Sequence, residues 1–435
     1  MSDDRATRSR RQVLGAIAAG TSAVVAGCGY QPGGGDLDWQ ESTGHNVGFG
    51  SSSNERWRSD GTHLFRIRNR SGREPASGGF EDVDGAYVTA YDSSGSTVWS
   101  GDAGSEYTGV PSIANGRVFF SLEDETVAAL ERSPSDDDSG GNSTDDAETA
   151  WTTDWDGPSL ALSASDDLVV GVHEGGAVGF DSDSGEERFV LDLEAEPFDE
   201  IDSVAVGGEI VWVVAVDTDS SDGNDGDPDD NANTDTNNDN DDADNEDTNN
   251  DGTETSVLLG YDSAGGVVVD RSLPSTPSWL EAAGSVALVG VETSDDEDEL
   301  WLIDDSGDRR ERLALERASS EPIVVGETAS FDAGGTISAI DTSTGERSWT
   351  TEAYTTRGDV AADSDRLYVQ GTTEGMDRCG LIALDHDGEE AWTASLPTEV
   401  GCSGELFVLE DRLVVVDDGE LYGFRKTSGR RFTLL

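Results

Sequence analysis

Cysteine and histidine, the side chains that most often bind metals or act as nucleophiles and bases, are few here and widely separated. The 435 residues include three cysteines and four histidines. No His-x-His, His-x-x-x-His or Cys-x-x-Cys spacing occurs, so the sequence supplies no obvious ligand set. It also lacks a Gly-x-Ser-x-Gly nucleophile turn and a Gly-Lys-Ser/Thr phosphate loop. We therefore predict no catalytic residue, no metal and no cofactor. The histidines, expected to be lone surface or loop residues, are His45, His63, His173 and His386.

Two acidic stretches are candidates for cation binding. Residues 217–254 contain 16 acidic side chains and no basic one. Within them Asp247, Asn249 and Asp251 match the start of a calcium-binding loop, but Leu258 stands where such a loop needs glutamate. They are weak calcium candidates, and we predict a disordered, solvated insert. A smaller insert is expected at about residues 133–149.

The overall charge excludes one class of partner and indicates an environment. The chain carries 92 acidic and 27 basic side chains, a formal net charge of -65, and Lys426 is its single lysine. Such a surface repels nucleic acid. At about 1 M salt the screening length falls to roughly 3 Å, which removes most self-repulsion. The composition resembles that of secreted proteins of salt-loving archaea, and an acidic low-salt protein is the alternative.

The first 27 residues resemble an export signal. Arg10 and Arg11 stand in a segment similar to the twin-arginine motif, and an apolar run of 14 residues follows. That run is too short to span a bilayer comfortably. It ends at Val25-Ala26-Gly27-Cys28, which resembles the lipobox of lipoproteins. The resemblance implies cleavage before Cys28, a lipid on its thiol, and a location on the extracytoplasmic face of the membrane. The alternative is a soluble N-terminal helix with an incidental cysteine.

Two further features bear on an extracytoplasmic protein. Cys379 and Cys402 lie 23 positions apart, and we predict a disulfide between them, with two buried free thiols as the alternative. Asn69 and Asn142 begin Asn-x-Ser/Thr sequons and are glycosylation candidates. Residues 28–45, rich in glycine, are predicted to form a flexible tether.

The remaining chain, residues 46–435, is built from repeats. Each unit runs from a β-branched stretch through an aspartate and a turn glycine to an aromatic residue. From Asp262 onward the units recur about every forty residues, a period typical of propellers and solenoids. The turn aspartates are Asp92, Asp181, Asp262, Asp304, Asp341 and Asp385, with Glu131 and Arg425 as variants. The tryptophans that follow are Trp99, Trp151, Trp349 and Trp392, replaced elsewhere by Phe189, Val269 and Phe432.

The chemistry within each unit favours a propeller over a solenoid. Asp-Gly and Gly-Gly pairs between the β-branched runs suit hairpin turns, and no convincing helical pattern separates the units. Antiparallel sheets of this kind, arranged radially, leave only short protected edges. We predict an all-β fold, a single propeller of eight four-stranded blades, with seven as the alternative. The tryptophan would pack against the neighbouring blade.

The repeat resembles the pyrroloquinoline-quinone repeat, whose hallmark is Ala-x-Asp-x-x-x-Gly-x-x-x-Trp. In quinone-dependent dehydrogenases with this repeat, the cofactor lies on the propeller axis between a tryptophan and a disulfide of adjacent cysteines, beside a calcium ion. No two cysteines are adjacent here. Bacterial outer-membrane assembly lipoproteins of the same repeat class are similar in layout.

These features lead to one principal hypothesis and two alternatives. We expect a non-enzymatic, membrane-anchored propeller that binds proteins or envelope components. A quinone-dependent oxidoreductase is the first alternative, and a calcium-binding surface protein is the second.

Overall fold

The described part of the chain consists entirely of β-strands and their connections. The computed structural model describes residues 34–43, 51–76, 79–133, 145–155, 161–173, 175–192, 198, 200–217, 255–292, 298–315, 321–332, 336–352, 354–374 and 376–427. Within these ranges there are 32 strands and no helix. They form eight four-stranded antiparallel blades, and a short parallel bridge joins the outer strands of blades 1 and 2. The predicted eight-bladed propeller is confirmed.

Strand β1 (Leu37–Ser42) precedes four blades in the first half of the chain. Blade 1 has β2 (Ser51–Ser59), β3 (Leu64–Ala76), β4 (Gly79–Tyr91) and β5 (Thr97–Asp102). Blade 2 has β6 (Tyr107–Ala114), β7 (Arg117–Leu122), β8 (Thr126–Arg132) and β9 (Asp145–Asp154). Blade 3 has β10 (Ala161–Ala164), β11 (Leu168–His173), β12 (Gly176–Asp181) and β13 (Glu187–Asp192). Blade 4 has β14 (Glu200–Gly207), β15 (Ile210–Asp217), β16 (Thr255–Asp262) and β17 (Val267–Leu273).

The other four blades follow in the same order. Blade 5 has β18 (Trp279–Ala283), β19 (Val286–Glu292), β20 (Asp298–Ile303) and β21 (Arg309–Leu315). Blade 6 has β22 (Ile323–Val325), β23 (Thr328–Asp332), β24 (Ile337–Asp341) and β25 (Arg347–Thr351). Blade 7 has β26 (Tyr354–Ala362), β27 (Arg366–Thr373), β28 (Gly380–Asp385) and β29 (Glu390–Ser395). Blade 8 has β30 (Glu405–Leu409), β31 (Arg412–Asp417) and β32 (Glu420–Arg425), and β1 completes it.

The blades are held together by apolar side chains at the seams between them. In each blade the central strands carry runs of buried residues such as the pattern of β19, VALVGVE. These strands are covered on both faces, because a neighbouring blade packs on each side. Eight hydrophobic clusters occupy the seams, one for each pair of neighbouring blades, including the pair formed by blades 8 and 1. The ring is therefore closed.

The N-terminal strand closes the ring, which corrects the predicted tether. Residues 28–45 were expected to be flexible throughout, yet Leu37–Ser42 pairs antiparallel with β32 as the outer strand of blade 8. Trp39 lies opposite Gly423, the register at which Trp99 lies opposite Ala90 in blade 1. The expectation that the eighth repeat ends in Phe432 is wrong, because Trp39 occupies that position; Phe432 itself lies outside the described residues.

A second boundary also differs from the sequence prediction. The smaller insert was expected at about 133–149, but residues 145–149 belong to β9 and pair with β5 or β8. The larger insert leaves the ring between β15 and β16, as the two flanking apolar runs predicted. Residues 218–254 of that insert lie outside the described part of the chain.

The aspartate turn and the tryptophan form one joint between blades. In blade 3 the Asp181 carboxylate accepts hydrogen bonds from the backbone N–H groups of Asp183 and Ser184, at 3.1 and 2.9 Å. Gly185 has a φ of 70°. Trp151 of blade 2 packs on that glycine, and its indole N–H donates to the Ser182 carbonyl at 3.0 Å.

The same joint recurs around the ring, but the residue at the tryptophan position, and the hydrogen bond that it can donate, differ from seam to seam. The indole N–H of Trp39 donates to the Ser93 carbonyl and that of Trp392 to the Lys426 carbonyl, both at 2.9 Å. Phe189 packs on Gly265 and Val269 on Gly307, without a donor. In blade 5 the equivalent register position, opposite Leu302, is Glu311.

The joint predicts unequal costs for two glycine substitutions. A Cβ on Gly388 would lie 2.7 Å from Trp349, whereas one on Gly326 meets no atom within 4 Å, and both residues have positive φ. Gly326→Ala should lower the free energy of unfolding by about 1 kcal/mol through backbone strain. Gly388→Ala should cost about 1–3 kcal/mol more, because the indole must move. Denaturant unfolding checks this, and equal costs for both variants would contradict the proposed joint.

Candidate binding sites of the propeller

Several residues singled out in the sequence lie outside the described ranges. They are Arg10, Arg11, Cys28, Asn142, Asp247, Asn249 and Asp251, together with His45. For these residues the sequence predictions stand as predictions. No helix long and apolar enough to cross a membrane occurs in the described part of the chain.

Cys379 and Cys402 form a disulfide in the structure. Their Cα atoms are 5.6 Å apart, within the usual range for a bridged pair. Cys379 precedes β28 of blade 7 and Cys402 precedes β30 of blade 8, so the bond crosses a seam. Gly358 allows the inner strand of blade 7 to approach, since a Cβ there would lie 2.1 Å from the Cys402 carbonyl oxygen. The bond therefore links two neighbouring blades, and no other cysteine belongs to the described part of the chain.

The structure rules out Asn69 as a glycosylation site in the folded protein. Asn69 is 3% exposed. Its amide nitrogen donates to the Tyr107 carbonyl and its amide oxygen accepts from the Tyr107 N–H, both at 2.9 Å. The side chain joins blade 1 to blade 2, which a local sequence motif cannot reveal.

The three described histidines are far from one another. His63 lies 3.5 Å from the Asp60 carboxylate, His173 packs edge-on against Trp155, and His386 sits in the turn after Asp385. Within the described ranges no group of three or more histidine, cysteine, aspartate or glutamate side chains could hold a metal ion.

The innermost strands surround a central channel with a polar wall. A cavity of about 390 Å³ is lined by strand 1 of each of the first five blades, including Arg58, Ser163 and Glu281. Two adjoining cavities share its walls, one through Glu281 and Glu321, the other through Arg58. Side chains of the first strand of each blade that do not pack into a seam therefore point toward the channel.

Two carboxyl groups meet at the channel wall. Burial of Glu281, together with a hydrogen bond to the carboxyl of Glu321, raises the Glu281 pKa to about 8. At neutral pH the Glu281 carboxyl therefore keeps its proton, because its buried position disfavours the charged form. Sequence reasoning missed this pair, since Glu281 and Glu321 belong to consecutive blades and no local motif marks them.

Two further carboxyl groups, those of Asp359 and Glu405, lie along the channel wall, and Asp359 lines the same cavity as Glu281. The Asp359 carboxylate accepts a hydrogen bond from the Leu406 N–H at 2.9 Å, which ties blade 7 to blade 8. Burial, and then the Asp359 charge, raises the pKa of Glu405. The Asp359 carboxylate therefore links two blades, and Asp359 and Glu405 together give this part of the channel an acidic lining.

The family of this chain follows from a match over most of the propeller. The family described as outer membrane protein assembly factor BamB matches residues 29–218 and 333–432, about two thirds of the chain. The chain belongs to the BamB family. The match begins before β1 and extends beyond β32, so it covers the strands that close the ring.

One solved propeller structure agrees with the fold of this BamB-family chain. A structure described as the Dos1 propeller is 9% identical, covers 90% of this chain and 95% of its own, with a TM-score of 0.50. Dihydro-heme d1 dehydrogenase NirN is 13% identical, with 79% and 72% coverage and a TM-score of 0.42. These similarities concern the fold alone. No curated protein matches the chain significantly.

The residues of this BamB-family propeller do not fit a quinone cofactor. All ten tryptophans of the chain pack into the seam clusters, which leaves no indole free to stack on a planar ring in the channel. Trp57, which also reaches a cavity wall, is 3% exposed. The disulfide joins cysteines of two blades and lies within a seam.

The Glu281 pair predicts a pH effect on stability. Unfolding restores an ordinary pKa near 4.5, so between about pH 4.5 and 8 the folded state holds a proton that the unfolded state has lost. Stability should therefore fall as pH rises through that window. Glu281→Gln should flatten the dependence and raise the melting temperature at pH 8. Exposed Glu327, changed to Gln, is the control; an identical pH profile for Glu281→Gln and wild type would contradict the assignment.

Proposed function

We propose that this protein is a lipid-anchored, extracytoplasmic propeller that binds other proteins of the cell envelope and performs no catalysis. The observation that carries the proposal is membership of the BamB family over a closed eight-bladed ring. The family name describes assembly of outer membrane proteins, and we transfer from it only the role of a protein-binding scaffold. Fold alone would not support this, since propellers serve many functions.

Anchoring rests on the N-terminal sequence. Arg10 and Arg11, the short apolar run and Cys28 stand in the order expected of a twin-arginine lipoprotein signal. Only nine positions separate Cys28 from Leu37, the first residue of β1. An anchored ring would thus lie close to the membrane surface, where its loops could meet other membrane-bound proteins.

The anchoring proposal predicts the fate of three variants in a salt-loving archaeal host. Cys28→Ser should move the protein from the membrane fraction to the medium. Replacing Arg10 and Arg11 together by lysine should leave the uncleaved precursor in the cytoplasm, whereas Arg8→Lys, outside the pair, should be exported normally. Immunoblots of the fractions check this. Membrane association of Cys28→Ser equal to wild type would contradict lipid anchoring.

The binding proposal predicts a stable partner and no redox activity. Capture of the lipidated protein from native membranes at high salt should recover an envelope protein in defined proportion. Incubation with pyrroloquinoline quinone and calcium should yield no bound chromophore and no dye reduction. A chromophore that survives gel filtration and reduces dye would overturn the proposal in favour of the oxidoreductase.

A further inference from the structure

Strands β2 and β3 form an unusually basic part of a very acidic chain. Residues 51–76 contain six arginines and only three acidic residues, whereas the whole chain has 92 acidic and 27 basic side chains. Arg66, Arg68 and Arg70 alternate along β3, and such alternation places them on one face of the strand. That face is locally positive.

The hairpin of β3 and β4 projects beyond the rest of blade 1. β3 and β4 are 13 residues long, and the other strands described have at most ten. β2 pairs with β3 only as far as Ser71, and β5 pairs with β4 only as far as Tyr87. Among the residues that the structure describes, Gly72–Ala76 and Gly79–Val83 therefore pair only with each other, above one face of the ring. Loops joining second and third strands all lie on this face, because the blades have the same meander.

Arg68 lies at the base of this projection, and no carboxylate among the side chains that the structure describes pairs with it. It is 7% exposed, and no hydrogen bond or ion pair joins its guanidinium to any residue that the structure describes. Its Nε is fully buried and unpaired. Glu55 attracts it electrostatically, but the Glu55 carboxylate is held by Arg66 at 2.7 Å.

Two other arginines of the described chain show the carboxylate pairing that is not seen for Arg68. Arg117 pairs with Glu131 at 2.6 Å, and Arg366 pairs with Asp385 at 2.7 Å. Burial and the neighbouring charges of Arg66 and Arg70 lower the Arg68 pKa to about 10, so the side chain stays charged at neutral pH. A buried charge without a partner destabilises the folded state. In a chain with so many carboxylates, a single substitution could supply a partner.

An aromatic ring completes the setting. Arg68 and Arg70 both lie over Tyr87, at 5.8 and 4.1 Å from its ring centroid. The ring holds the planar guanidinium groups beside each other. A guanidinium fork matches a carboxylate by two parallel hydrogen bonds.

We propose that Arg68, with Arg70 and Tyr87, binds a carboxylate from an acidic segment of a partner protein. This rests on the proposed protein-binding function and names the chemistry of the contact. The occupant follows from charge complementarity, since the chain as a whole, with a net charge of -65, repels an acidic segment, whereas residues 51–76 carry six arginines against three acidic residues. In molar salt the long-range repulsion is screened, but a contact with a largely buried guanidinium is screened much less.

Binding of a labelled oligo-aspartate peptide to the mature protein, measured by fluorescence anisotropy in molar potassium chloride, tests the proposal. Arg68→Met should weaken binding about tenfold or more, since a hydrogen-bonded charge is lost. Arg68→Lys, which keeps the charge but not the fork, should be intermediate. Arg366→Gln changes the net charge equally at a paired site in blade 7 and should bind as wild type does. An oligo-serine peptide of the same length should not bind.

The melting temperature separates a binding role from a structural one. Without peptide, Arg68→Met should melt at or above the wild-type temperature, because an unpaired buried charge has been removed. If that variant fails to fold, Arg70→Met is compared with wild type for peptide binding, because Arg70 also lies over the Tyr87 ring. The proposal would be overturned if the wild-type protein did not bind the peptide, or if Arg68→Met bound it equally well. Binding of inorganic phosphate without the peptide would overturn the carboxylate assignment. Membrane capture that succeeds with Arg68→Met would leave the scaffold function intact and remove this site.

Discussion

The structure depends on burial at the seams between blades. Each blade is covered on both sides, so a blade taken alone would expose two apolar faces to water. The eight seam clusters include the contact of blade 8 with blade 1, and that contact exists only because the ring closes. Stability is therefore shared among neighbours, as in other repeat proteins, but without terminal units that need capping.

The joint between the aspartate turn of one blade and the tryptophan of its neighbour explains which parts of the fold the sequence could predict. Aspartate, glycine and tryptophan of one unit lie within about ten residues, so the local pattern revealed the blades. The closing tryptophan, Trp39, was missed because its partner Gly423 is at the other end of the chain. Asn69 looked like a sequon, and only the packing of blade 1 on blade 2 shows that its amide is used by Tyr107.

The candidate sites were less predictable than the blades, for the same physical reason. Alternating arginines in β3 are visible in the sequence, but which of them pairs with a carboxylate among the described residues depends on how β2 and β4 meet that strand. Glu281 and Glu321 become neighbours only when consecutive blades pack. Abundant acidic residues hide such a pair, because composition alone cannot tell a solvated carboxylate from one that keeps its proton.

Strand β1 imposes an order on synthesis. Thr43, just after it, donates its hydroxyl to the Gly419 carbonyl, a residue 376 positions further along the chain. Strand β1 must therefore wait, unpaired, until β32 has been made. Long-range pairing of this kind is slow and leaves an exposed edge in the meantime. A transport system that accepts only folded proteins would have, in this joint, a structural sign that the propeller is closed.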